Sequence, residues 1–338
     1  MGIEPLIFEL SSPGRSGASL PACDVPETPI PEALLRRELP LPEVTEVDAV
    51  RHFIRLSQMN YGVDTGFYPL GSCTMKYNPK ANEAAAAQPG FLWLHPLQDP
   101  ESAQGALELM HRLQSWIREI GGFAAVSLQP AAGAHGELAG ILIMRKWFRD
   151  RGERERTRVL VPDSAHGTNP ASCAMGGFEA VEIPSDARGN LDIARLKAEL
   201  DGRTAGLMLT NPNTLGLFEE NLPEIARLVH EAGGLLYGDG ANFNALLGIC
   251  RPGAMGIDIM HFNLHKTFST PHGGGGPGSC AVGVSAPLSE YLPGPLVEKS
   301  AEGKPGGTPS YRLAMPGRSI GRLKCFHGQF AVAVRAYA

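Results

Sequence analysis

The chain has 338 residues, 43% of them hydrophobic, and its 30 basic and 35 acidic residues give a net charge of −5. The length suggests about two domains, and the near balance of charge gives no sign of a nucleic-acid or membrane-surface partner. The apolar runs are shorter than the roughly 18–20 residues of a membrane span, and the first residues lack the basic and apolar pattern of a signal sequence.

The six cysteines are scattered, with no Cys-x-x-Cys pair among them. This pattern argues against a disulfide framework or a structural zinc site, and it favours a reducing compartment. We therefore expect a cytoplasmic protein without a metal site.

Residues 1–95 are irregular and rich in proline, apart from a predicted helix at Val47–Met59. A segment with so many loops does not close a core of its own. We therefore expect an extended N-terminal arm that wraps another domain or subunit.

Residues 96–297 alternate short apolar runs with amphipathic helices. The predicted helices are one that ends at Gly121-Gly122, followed by Glu137–Arg151, Leu191–Leu200 and Leu222–Ala232. The predicted strands are Ala124–Leu128, Arg158–Pro162, Ala180–Pro184, Gly206–Thr210, Leu235–Tyr237, Ile259–Asn263 and Ser279–Val284. This order predicts an α/β domain with a mostly parallel sheet and helices on both faces. Ligands of such sheets bind at the carboxyl ends of the strands.

Two residues at predicted strand ends suggest a cofactor. Asp239 ends the run that starts at Gly234, and Lys266 follows the next strand. Pyridoxal phosphate needs such a pair, because a lysine holds its aldehyde and an aspartate keeps its pyridine nitrogen protonated. Taken alone, Asp239 fits a helix N-cap better, and Lys266 fits an ordinary solvated lysine better; the pairing of the two favours the cofactor.

Other candidates lie just past predicted strands. His166 could stack on the pyridine ring, although a turn histidine is an equal alternative. The small residues before Leu138 suggest a phosphate site at a helix start, with Gly133, Ala134 and His135 as the backbone donors.

The turn Thr210–Gly216 resembles the Asn-Pro-Thr-Gly turn of fold-type-I aminotransferases. The resemblance implies that Asn213, or failing that Asn211, bonds the phenolic oxygen of the cofactor. The run Gly273–Gly276 predicts a close backbone approach or a hinge.

Together these motifs resemble the P-protein family of glycine decarboxylase, and the resemblance covers almost the whole chain. It rests on Leu70–Lys76, Ala165–Ala171, Thr210–Gly216, Asp239–Asn242 and Asn263–Phe268 with the Pro-His-Gly-rich run that follows. The start, Phe8–Arg15, is similar to subunit 2 of the two-subunit bacterial form.

The resemblance implies a fold-type-I pyridoxal-phosphate enzyme that decarboxylates glycine in the glycine cleavage system. It implies transfer of the aminomethyl group to the lipoyl arm of H-protein, and assembly with subunit 1 as a heterotetramer. Lys266, His265 and His166 would be catalytic, and Ala241 would contact the cofactor. Residues 298–338 would begin a C-terminal domain that is cut short.

Three alternatives remain open at this stage. A fold-type-I aminotransferase would share Asp239 and Lys266 but needs an arginine for the substrate carboxylate. A truncated subunit could bind partners without catalysis. A metal hydrolase could use His261, His265 and His272, although Pro271 and the glycines argue against a helix there.

Overall fold

The computed structural model describes residues 3–68, 73–272, 278–300 and 310–338. Its contacts divide the chain into two compact units, Met1–Pro69 and Leu70–Ala338. The domain boundaries expected at residues 95 and 297 remain predictions.

The first unit contains one long helix, α1 (Glu46–Gln58), close to its predicted position. Thr45 begins it in a capping box, because its hydroxyl accepts the amide of Asp48 and the Asp48 side chain reaches back. Glu4 binds Arg55 at 2.8 Å and His52 at 3.2 Å. Most large apolar side chains of this unit are exposed to solvent.

The helices of the second unit surround a sheet and include those expected from the sequence. They are α2 (Lys80–Ala86), α3 (Pro89–Leu92), α4 (Gln104–Gly121), α5 (Gly133–Asp150), α6 (Thr168–Met175), α7 (Ile193–Glu199), α8 (Leu222–Glu231), α9 (Leu264–Thr267) and α10 (Phe330–Tyr337). Gly122, at φ 73°, caps α4 in the left-handed conformation that glycine adopts without strain.

Seven strands form the main sheet in the order β1-β7-β6-β5-β4-β2-β3. They are β1 (Ala125–Ser127), β2 (Arg158–Pro162), β3 (Glu179–Ile183), β4 (Thr204–Thr210), β5 (Leu235–Asp239), β6 (Ile259–Asn263) and β7 (Cys280–Val284). All seven are predicted strands, with ends shifted by two residues at most. The five strands β3, β2, β4, β5 and β6, in their order across the sheet, are parallel to one another. Strand β7 runs antiparallel to both of its neighbours, β6 and β1. A separate hairpin joins β8 (Leu296–Lys299) to β9 (Tyr311–Ala314).

Both faces of the sheet are covered, as predicted. Along β4, Leu207 and Leu209 belong to one hydrophobic core and Met208 to the other, which is the two-residue alternation of a strand. Helices α4 and α8 supply side chains to the first core, and α5 and α6 supply them to the second. Among the described residues, no helix is long and apolar enough to cross a membrane.

Leu113 tests how much the first core contributes to stability, because this α4 side chain is fully buried. We expect Leu113→Ala to lower the free energy of unfolding by about 2–5 kcal/mol, through lost burial and the cavity left behind. Leu97→Ala, at an exposed position, should change it by less than about 0.5 kcal/mol. Urea denaturation of both variants measures the difference, and equal effects would contradict the assignment of this core.

Candidate active site

A cavity of about 460 Å³ opens where β4, β5 and β6 end, within the size range of small-molecule sites. Thr210, Asp239 and Asn263 are the last residues of these strands, and all three line the cavity. Helix α5 begins at the same place with Gly133 and Ala134. The parallel strands therefore bring together residues that lie far apart in the chain.

Most predicted site residues line this cavity. They are Gly133, Ala134, His166, Asp239, Ala241, His265 and Lys266. His135 and Asn213 do not line it, and Gly273–Gly276 lie outside the described residues.

Lys266 lies on the single turn of α9, directly after β6, and is half-buried. The backbone around it is held by Lys76, whose ammonium group donates to the carbonyl oxygens of His265 (2.8 Å) and Thr270 (2.7 Å). Asn82 donates to the carbonyl of Ser269 at 2.7 Å. These bonds fix both ends of the turn that carries Lys266.

His265 is buried, and its Nδ1 lies 3.2 Å from the amide nitrogen and 3.0 Å from the carbonyl oxygen of Ser279. Burial lowers the pKa of His265 to about 4, so the ring is neutral at physiological pH. Burial likewise lowers the pKa of Lys76 to about 8.

Asp239 is only 2% exposed at the end of β5. Its carboxylate accepts the amide of Ala241 at 2.9 Å and the side-chain amide of Asn169 at 3.1 Å, and Nε2 of His261 lies 3.4 Å away. Burial alone raises the pKa of this carboxyl group, but His261, Ala241 and Asn169 outweigh burial and lower it. The cavity therefore contains a fixed negative charge.

Glu137 is a cavity residue that the sequence analysis missed. It is 4% exposed, and its Oε2 accepts the side-chain amide of Asn169 at 2.6 Å. Burial, and then the charge of Asp239, raise the pKa of Glu137 to about 8. The sequence could have indicated this position, because Glu137 follows Gly133 by four residues and residues four apart lie on the same face of a helix. A predicted phosphate site at Gly133 therefore places Glu137 on the same side of α5.

The start of α5 gives the cavity its backbone donors. Ala132 precedes the helix and has no side chain that could cap it. A Cβ atom at Gly133 would collide with the side chain of Asn263, so only glycine allows this close approach. The His135 side chain turns away and accepts the amide of Ala131 at 3.2 Å. His166 is exposed and also lines the cavity.

The structure places Asn213 outside the lining of the cavity. Its side chain donates to the carbonyl of Gly189 at 2.9 Å and accepts the amides of Leu215 and Leu217. These local bonds close the loop after β4 and leave the side chain outside the cavity wall. The side-chain oxygen of Asn211 accepts the amide of Glu219, and its buried side-chain nitrogen has no hydrogen-bond partner among the described residues. The polar side chains of this wall come instead from Thr210, Thr214 and Asn242.

The histidines considered for a metal hydrolase fall into two separate groups. His261 lies beside Asp239, whereas His265 and His272 lie beside Cys73. The three do not converge on one point, so that alternative is wrong in its geometry.

Comparisons with known proteins agree with one another. The family model described as glycine cleavage system P-protein matches residues 23–322. A protein of Alkaliphilus oremlandii named probable glycine dehydrogenase (decarboxylating) subunit 2 is 56% identical over 338 residues, covering 98% of this chain and 68% of its own length. A protein of Chlorobium chlorochromatii with the same name is 58% identical, over 99% of this chain and 69% of its own length.

Among solved structures, an inhibitor-bound glycine decarboxylase (P-protein) of the glycine cleavage system matches with a TM-score of 0.74 and 23% identity. The match covers 91% of this chain and 70% of that one. This likeness shows the fold alone, and it confirms the predicted fold-type-I architecture.

Lys76 provides a test of how the Lys266 turn is held. Lys76→Met would leave two part-buried carbonyl oxygens without their charged donor, so we expect a loss of about 1–3 kcal/mol in the free energy of unfolding. Amide hydrogen exchange in residues 264–270 should become faster. Lys197→Met, which removes an exposed lysine paired with Glu224, is the matched control. Unchanged exchange in Lys76→Met would contradict the role of Lys76.

Proposed function

This chain belongs to the glycine cleavage system P-protein family, and from that membership we propose that it decarboxylates glycine with pyridoxal phosphate bound in the cavity at the ends of β4, β5 and β6. The supporting observation is that Lys266, the ionised Asp239 and the start of α5 line one cavity. Relatives that are 56% and 58% identical carry the glycine dehydrogenase name, which favours this activity over an aminotransferase.

The residues present fit this cofactor. The α5 start, with its glycine packed against Asn263, offers backbone N–H groups and the positive end of a helix to a phosphate. Asp239 offers a buried carboxylate to a protonated ring nitrogen. Lys266 offers the amine that an aldehyde requires.

When bound, pyridoxal phosphate supplies the electron-withdrawing ring that accepts the negative charge left as carbon dioxide departs. We assign each residue one task toward it. Lys266 would hold the aldehyde carbon through its Nζ, and the same amine would serve to move a proton. Asp239 holds the proton on the ring nitrogen, with Ala241 capping its carboxylate.

The remaining candidates support this arrangement. The backbone N–H groups of Gly133, Ala134 and His135 would bind the phosphate. His166 would stack on the ring. His265 stays neutral and holds the Lys266 turn against Ser279, and it is an alternative to Lys266 for moving protons.

Lys266→Ala tests the assignment. The variant should fold, yet it should lose all borohydride-reducible covalent cofactor, because Lys266 is the only lysine among the described residues that line the cavity. Absorbance and intact mass after borohydride treatment measure the loss. Lys146→Ala, at a surface position outside the cavity, should keep wild-type labelling. Retained covalent cofactor in Lys266→Ala would reject Lys266 as its anchor.

The partners follow from the same proposal. The aminomethyl group passes to the lipoyl arm of H-protein, and subunit 1 completes a cytoplasmic heterotetramer. The exposed apolar face of α1 supports a protein partner, because Val47, Val50 and Ile54 recur at helical spacing and are exposed. A stable interface of this kind commonly buries about 2,000 Å² or more.

Co-purification tests this interface. Subunit 1 should be retained by the wild-type chain and lost from Val50→Glu, because a charge in an apolar interface is costly. Arg51→Glu changes an exposed charged residue next to it on the helix and should keep binding. Equal retention of subunit 1 by both variants would contradict an interface on α1, and light scattering would detect self-association of the isolated chain.

A further inference from the structure

Two buried carboxyl groups in the cavity wall share one amide donor. The side-chain nitrogen of Asn169 lies 2.6 Å from Oε2 of Glu137 and 3.1 Å from Oδ2 of Asp239. Glu137 is 4% exposed, Asp239 is 2% exposed, and Asn169 is fully buried. The two acids come from α5 and β5, about 100 residues apart in the chain, so the fold has placed them together.

We propose that Glu137 is a positioning residue that stays protonated in the folded protein and, through Asn169, keeps Asp239 ionised and fixed in the cavity. The task of Asp239 toward the ring nitrogen rests on the proposed function. The protonation of Glu137 does not rest on the proposed function, because it follows from the packing of the protein alone.

The surroundings of Glu137 decide which acid carries the proton. The titratable groups that face it are Cys173 on α6, Tyr237 and Asp239 on β5, His261 on β6, and Cys280 on β7. Lys266 is the opposing positive charge, and it acts on both carboxyl groups.

Asp239 has the better support for a negative charge. It accepts the Ala241 amide as well as Asn169, and His261 lies at 3.4 Å. Glu137 accepts a hydrogen bond from Asn169 only, among the bonds of the described residues. Two carboxylates this close cannot both ionise cheaply, so one proton remains, and it remains on Glu137.

This proton has a predictable effect on stability. Burial raises the folded-state pKa of Glu137 to about 8, above the ordinary value of 4.5. The contribution of the proton to stability is therefore full below about pH 4.5 and is lost as the pH rises through about 8. A glutamine at this position carries no charge at any of these pH values and should not show the loss.

The experiment compares the cofactor-free wild-type chain with Glu137→Gln by urea denaturation, after dialysis against a chelator. The chelator matters because Glu137, Asp239 and His261 lie close enough to hold a cation. Between about pH 5 and about pH 8, the unfolding equilibrium constant of the wild type should rise relative to the variant by up to tenfold per pH unit. Glu155→Gln changes an exposed residue, and its unfolding equilibrium constant should change with pH as that of the wild type does. If the free energy of unfolding changed with pH in the same way in the wild type and in Glu137→Gln, the proposal would be overturned.

Infrared difference spectroscopy of the wild type gives a second measurement that needs no variant. A protonated carboxylic acid band should disappear as the pH rises through about 8, and its absence at neutral pH would also overturn the proposal.

Asn169→Ala tests the link to Asp239. Affinity for pyridoxal phosphate should fall roughly ten- to a hundredfold, as expected for the loss of a hydrogen bond to a charged group. Unchanged affinity would show that Asn169 does not position Asp239. If the wild-type chain bound no pyridoxal phosphate, the proposed function would fail while the stability comparison would still decide the proton on Glu137.

Discussion

The site depends on keeping one carboxylate ionised although its side chain is almost completely buried. Removing a charge from water costs several kcal/mol unless hydrogen bonds and opposite charges replace the lost solvation. Asp239 meets this requirement with a backbone amide two residues ahead, a side-chain amide from α6 and an imidazole from β6. Each partner lies on a different element. The sheet and its covering helix must therefore be packed together before the ionised form of Asp239 is stabilised.

A similar arrangement holds the lysine on the other side of the cavity. Lys266 stands on a single helical turn, which has little stability of its own. Lys76, Asn82 and the Ser279 backbone tie that turn to the rest of the unit. The positive and negative groups are thus held by separate sets of bonds, at the ends of the neighbouring parallel strands β6 and β5.

The sheet was predictable because its strands are short, nearly continuous apolar runs that end in polar residues. Asp239 and Lys266 were predictable for the same reason, since parallel strands bring their carboxyl ends together. Asn213 was not, because an asparagine after a strand can bond its own loop as readily as a distant ligand. Glu137 was missed because its protonation depends on burial and on neighbours about 30 and 100 residues further along the chain, which local spacing does not reveal.

The pairing of β1 with β7 constrains when the protein can fold during its synthesis. Ala125 in β1 pairs with Val284 in β7, and α5 begins a few residues after β1. A ribosome adds roughly 5–20 residues per second, so β1 must wait many seconds before its partner strand leaves the exit tunnel. Until then the first turn of α5 has no completed sheet to rest against. The cavity is therefore assembled late, and the nascent chain exposes its apolar strands meanwhile, which makes this interval the one in which chaperones have most to protect.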